Sequence, residues 1–146
     1  MKSLFLFVLI FSCNFSLKSQ TYNSDQILGN WISPQKDLII NCYKVNDQYF
    51  GKVVWFKKYY DDKHGVNTAV PEDQWMNAVV MKHFAFKDNE WKNGEIYDLN
   101  SGKSYSSYIE LDGTNTLKCT GYIWLTIFGE TINFTKYTNA KLPEFK

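Results

Sequence analysis

Ser107, His83 and Glu130 have the side-chain types of a nucleophile, a general base and an orienting carboxylate, so this 146-residue chain holds the parts of an acyl-transfer triad. Their local patterns argue against that use. Ser107 lies in the strand-like run Ser104-Tyr105-Ser106-Ser107-Tyr108, with no G-x-S-x-G elbow to lift its hydroxyl out of a sheet. A lone His in a strand is more often a hydrogen-bonded structural residue. Asp61-Asp62-Lys63-His64 gathers metal-ligating types but lacks the alternating spacing of an EF-type loop, and reads as a polar hairpin tip. Cys42 and Cys119 belong to no C-x-x-C and have no His at zinc spacing. They could pair in an oxidising compartment or serve as small buried hydrophobes; both readings stay open. No metal and no cofactor is expected.

The first residues set the compartment. Lys2 supplies a positive start, Leu4 to Phe11 is uninterruptedly apolar, and small residues follow, with cleavage placed after Ser19. That is a secretory signal, too short to span a bilayer. Residues 20–146 then form one domain, periplasmic or secreted. Ile10-Phe11-Ser12-Cys13 offers an alternative, a lipoprotein box with Cys13 as a lipid anchor, although Phe11 fits such a box poorly. Removing Lys2 and Lys18 from 16 basic residues leaves 14 lysines against 15 acids, a net charge of −1, and there is no Arg. A nucleic-acid binder would carry a basic stripe and Arg forks, so nucleic acid is not expected as a partner.

The elements that would position any site are short. Strands are expected at Leu28 to Ser33, Asp37 to Val45, Gln48 to Tyr60, Trp75 to Phe86, Gly94 to Asp98, Lys103 to Leu111, Thr116 to Trp124 and Ile127 to Tyr137. Asn46-Asp47, Asn100-Ser101-Gly102 and Asp112-Gly113 supply tight turns between them. No window holds a helical apolar period. The pattern predicts an all-β domain of about eight strands, a sandwich or barrel.

Alternation assigns the faces. Tyr49, Gly51, Val53 and Trp55 share an apolar face, as do Tyr105, Ser107, Ile109 and Leu111, and Leu117, Cys119 and Gly121. In the last strand Ile132 and Phe134 share theirs with Glu130 and Lys136, which must reach solvent or find partners. The strand around residue 80 is ambiguous: Val79, Met81 and His83 compete with Val80, Phe84 and Phe86.

Gly29-Asn30-Trp31 resembles the G-x-W of lipocalins, whose Trp plugs one end of the barrel beneath a basic residue from the far end of the chain. The resemblance makes Trp31 and Lys136 a structural end-plug, with Lys136 in a place where lipocalins prefer Arg. The chain resembles more closely a bacterial exported family, domain of unknown function 2147. The matching stretches are Ile27 to Trp31, Gln48 to Trp55, Trp91 to Tyr105, Leu117 to Ile123 and Phe128 to Lys136. Several arginines of that family are replaced here, by Thr120, Glu130 and Lys136 among others, so roles resting on them do not carry over. What the resemblance implies is a single antiparallel up-and-down, lipocalin-like β-barrel in an exported protein.

An eight-stranded barrel can be filled by side chains or can hold one small ligand. We expect a non-catalytic binding protein for a small apolar or amphiphilic molecule. Tyr49, Trp55, Tyr105 and Glu130 are the expected cavity residues, with His83 and Ser107 as orienting polar groups. The alternative is a filled core with recognition of protein or carbohydrate on the outside, through Tyr59, Tyr60, Trp75 and Trp91.

Overall fold

The computed structural model describes residues 21–57, 60–61, 65–66, 72–99, 101–121 and 130–143. The leader, Cys13, the segment 62–64 with its metal-ligating types, and Tyr59 lie outside the described residues.

After a short 3-10 turn, Ser24–Ile27, come β1 (Gly29–Ile32), β2 (Leu38–Val45) and β3 (Gln48–Phe56). A small two-stranded ribbon, β4 (Tyr60–Asp61) and β5 (Gly65–Val66), precedes the one-turn helix α1 (Glu72–Trp75). Then follow β6 (Val79–Lys87), β7 (Glu90–Asp98), β8 (Lys103–Asp112), β9 (Thr116–Gly121) and β10 (Glu130–Lys136). Among the described residues the order β1-β10-β9-β8-β7-β6-β3-β2 closes a barrel of antiparallel neighbours. First and last strands seal it through Trp31 opposite Lys136 and Ile32 opposite Thr135. The fold is all-β and up-and-down, as the strand spacing predicts.

Three boundaries differ most from expectation, the first being β3, which ends at Phe56 and leaves Tyr60 to the separate β4. Trp75 lies in a helical turn, not in a strand. β7 starts at Glu90, well before Gly94, because Asp88 and Asn89 both take left-handed φ, 55° and 63°. Two such residues between paired Lys87 and Glu90 make the tight turn that a twisted hairpin favours.

The ambiguity of β6 is resolved by its irregular register. Tyr49 pairs with Phe84 while Gly51 pairs with Met81, so β6 carries an extra residue between them. His83, at φ 62°, sits in that bulge. A second shift follows, with Lys52 opposite Val79. Odd and even residues are therefore each inward on part of the strand, and Val80, Met81 and Phe84 are all buried. β7 repeats the device: Trp91 faces Ile109 but Gly94 faces Ser107, with Asn93 at φ 59° absorbing the extra residue.

Ile27, Trp31, Val53, Phe84, Trp91, Ile109 and Leu117 form the centre of the core, all with no measurable exposure. Gly94 is set by Phe84: a Cβ there would lie 2.4 Å from the ring's Cγ, so only glycine lets the strand pass beneath it.

Candidate functional site

One end of the barrel is closed by the segment before β1. Asn23 caps the 3-10 turn through a reciprocal capping box with Gln26. The turn's backbone then receives ring N–H groups from below. Trp31 Nε1 donates to Ile27 O at 2.7 Å and Trp91 Nε1 to Ser24 O at 3.2 Å. Tyr49 Oη donates to Asp25 Oδ1 at 2.7 Å, and its ring meets Trp91 edge-on at a centroid distance of 6.2 Å. Lys44 Nζ completes the cluster, 3.2 Å from Asp25 Oδ1. These bonds, from Tyr49 first and Lys44 second, hold the Asp25 carboxyl below its ordinary range.

Lys136 lies under the same cap. Its Nζ sits 4.3 Å from the centre of the Trp31 ring and donates to Leu28 O at 2.6 Å. Burial lowers the Lys136 pKa. Gly29, at φ 108°, carries the chain over this ammonium, and a Cβ there would lie 3.4 Å from Nζ. The Gly-x-Trp spacing thus has a geometric basis: the φ of 108° at residue 29 favours glycine and Trp31 supplies the face beneath the ammonium.

Cys42 and Cys119 are both buried free thiols. Burial pushes Cys42 up to about 12 and raises Cys119 as well, with Cys42 close enough to add to the effect. Both stay protonated at neutral pH.

The opposite end is built differently. Beneath α1 and the β7–β8 turn lies a cavity of about 420 Å³. Ile40, Met81, Cys119 and Phe134 line it together with Leu38, Val80, Ile96, Ile132, Trp75 and Tyr105, and Asp98 is part of its wall. Trp75 packs on Phe56 at 5.3 Å between ring centres, and its Nε1 is enclosed without a hydrogen-bond partner among the described residues. A larger depression of about 600 Å³ lies on the wall between β7 and β8, where the β7 bulge bends the sheet. Its lining is mostly polar, including Glu90, Lys92 and Glu110, with Lys92 3.0 Å from Glu90. Apolar enclosure favours the end cavity as a ligand site.

The residues expected around a cavity are dispersed. Tyr105 lines it. Tyr49 is buried at the capped end, bonded to Asp25. Trp55 is buried on the inner face of β3 opposite Ile39, outside the cavity lining. Ser107 is buried and donates to Tyr105 O at 2.8 Å. Glu130 pairs with Gly121, a lining residue, in the β9–β10 register. His83 is exposed, its ring edge-on to Phe50 and its Nδ1 3.1 Å from Gln48 Oε1; the bulge turns it out of the barrel. Ser107 and His83 are therefore not brought together. Trp91, expected near the surface, is fully buried. Trp75, Val80, Met81, Ile40, Ile96 and Asp98 are among the lining residues sequence reasoning missed.

A closed antiparallel barrel of eight described strands, capped over a Trp beneath a basic side chain and hollow at the far end, is a lipocalin-like barrel. Residues 29–136 match the family described as "Uncharacterized protein conserved in bacteria (DUF2147)", and the chain belongs to that family. Among solved structures it is similar to one described as "Protein HP1028 from the human pathogen Helicobacter pylori belongs to the lipocalin family". The TM-score is 0.55 at 14% identity, over 77% of this chain and 84% of that one, which supports a shared fold. No curated protein matches the chain. Among the described residues no helix is long and apolar enough to cross a membrane.

Proposed function

We propose that this is an exported protein that carries a small apolar or amphiphilic molecule in its barrel and performs no chemistry on it. One observation carries the reading: the 420 Å³ cavity at the uncapped end, within the size range of small-molecule sites and lined mainly by apolar side chains. Trp31 and Lys136 act as the structural plug of the other end, so a ligand enters and leaves past Trp75, Tyr105 and Ile132. Export rests on the apolar leader, which delivers the processed chain to the periplasm or beyond.

Native mass spectrometry of the protein purified from its own cells, before and after organic extraction, tests the proposal. The expected result is a discrete extra mass that extraction removes and that an Ile132→Trp variant, with its mouth filled, does not acquire. A bare polypeptide mass together with no uptake of alkyl alcohols would defeat it.

A further inference from the structure

We infer that Cys42, Met81 and Cys119 form a three-sulfur site for a soft monovalent metal ion, Cu(I), on the inner wall of the barrel. The site stands whether or not the cavity takes an organic ligand. Its members come from β2, β6 and β9, so no spacing along the chain announces them. Gly51 is the key to their approach. It pairs with Cys42 in the β2–β3 register, and both are buried. Directly opposed residues of an antiparallel pair hold their Cβ positions about 4.5–5.5 Å apart. Gly51 has no side chain, and Met81 fills the place: its Sδ lies 2.6 Å from where a Cβ would stand. The thioether is thereby laid beside Cys42. Met81 and Cys119 in turn line the same cavity. Burial raises the Cys119 thiol, and Cys42 is near enough to raise it further. Three sulfurs from three strands thus gather where the cavity gives an ion its way in.

The chemistry of this set selects the ion. Among the described residues no three His, Cys, Asp or Glu side chains gather, so zinc and harder ions find no ligand set. Two thiols and a thioether suit Cu(I). Burial keeps both thiols protonated, hence inert toward ordinary electrophiles. A soft ion displaces the protons. Two S–H bonds break, two Cu–S bonds form, both protons pass to solvent and no electron moves, while Met81 Sδ donates a lone pair as third ligand. Two thiolates and one Cu(I) leave a single negative charge, which a buried site must compensate. Lys136 is placed to do so. Its Nζ lies 3.4 Å from the Cβ position of Gly29, the other strand neighbour of Cys42. Its charge already opposes the rise that burial imposes on the Cys42 thiol. A divalent ion would leave the same site with surplus positive charge.

Anaerobic titration of the processed, reduced protein with Cu(I), in competition with bicinchoninate, tests this. Each chain should take one Cu(I) from the chelator and release about two protons in weak buffer. X-ray absorption at the copper edge should show sulfur ligands only. Cys119→Ala should weaken binding about a hundredfold and the volume-conserving Met81→Leu about tenfold, and Zn(II) should not compete. Should Cys119→Ala misfold, seen in its circular dichroism, Met81→Leu and the absorption spectrum of the native protein decide. Oxygen or nitrogen at the copper, or no capture of Cu(I) from bicinchoninate, overturns the site. An affinity unchanged by Met81→Leu overturns the three-sulfur set. Cys42 and Cys119 found joined when the protein is alkylated directly from its cells also overturns it, since a disulfide leaves no thiolate for the ion.

Discussion

Trp31 and Trp91, at the capped end, have no exposed surface and donate their ring N–H groups to the backbone of the 3-10 turn. Trp75, at the other end, is only partly buried, packs on Phe56 and borders a cavity, with its N–H unpartnered among the described residues. The same strands run through both ends, so the contrast comes from what covers them. Before β1 the chain supplies a short turn whose carbonyls match the ring donors beneath it, and Trp31, Trp91 and Tyr49 are each buried and hydrogen-bonded there. At the far end α1 and the β7–β8 turn leave a space lined by side chains that mainly face one another. Fully buried, hydrogen-bonded rings are thus concentrated at the capped end, whereas the rim of the cavity carries partly exposed side chains such as Trp75 and Ile132.

That division predicts unequal responses to truncation. Trp31→Ala should cost about 3–5 kcal/mol, since it empties a fully buried ring site and strips Lys136 of its aromatic partner. Ile132→Ala, at a residue 42% exposed on the cavity rim, should change stability by no more than about 0.5 kcal/mol. Urea unfolding of both variants measures the difference. Comparable losses would mean the open end contributes as much to the fold as the cap, and the contrast would fail.

A smaller effect sharpens the boundary between the two regions. In Gly94→Ala the new Cβ would lie 2.4 Å from Phe84 Cγ, so the ring or the strand must shift. Overpacking of this kind costs about 1–3 kcal/mol. Phe84 belongs to the core and does not line the cavity, so decanol affinity should be retained while the midpoint of urea unfolding falls. Loss of binding at unchanged stability would instead couple this part of the wall to the cavity.

Much of this barrel was legible in the sequence, for reasons that particular residues show. Tyr49, Gly51, Val53 and Trp55 alternate with more exposed neighbours along β3, and all four are buried. Lys136 lies over the Trp31 ring, the pairing the Gly-x-Trp resemblance implied, and Gly29 takes a φ of 108° that favours glycine. The cavity was less legible. Two register shifts within β6, one at His83 and one between Val79 and Met81, reverse the alternation, which sent His83 outward and brought Val80 and Met81 inward together. Trp75 was expected to open a strand, and nothing in the pattern around it signals the helical turn that sets it at the cavity. Tyr49 was read as facing the interior, which it does, but alternation cannot say at which end.

The weakest expected effect isolates the cap from the cavity by pH. Asp25 is held below the ordinary carboxylate value of 3.8, first by the Tyr49 hydroxyl and then by Lys44. A folded pKa below the unfolded one means that the ionised group stabilises the fold above the ordinary value. That contribution is lost as pH falls through the lowered one. Asp25 is exposed, so the contribution is screened and small. Asp25→Asn keeps an acceptor for Tyr49 but loses the charge. Its melting temperature should sit slightly below that of the native protein at neutral pH, and the gap should close on acidification below the ordinary carboxylate range. Decanol affinity should be the same in both proteins at neutral pH, because Asp25 and the cavity are at opposite ends of the barrel. A gap that widens in acid would reverse the sign of this linkage, and a decanol affinity that follows the substitution would show that cap and cavity are one coupled structure.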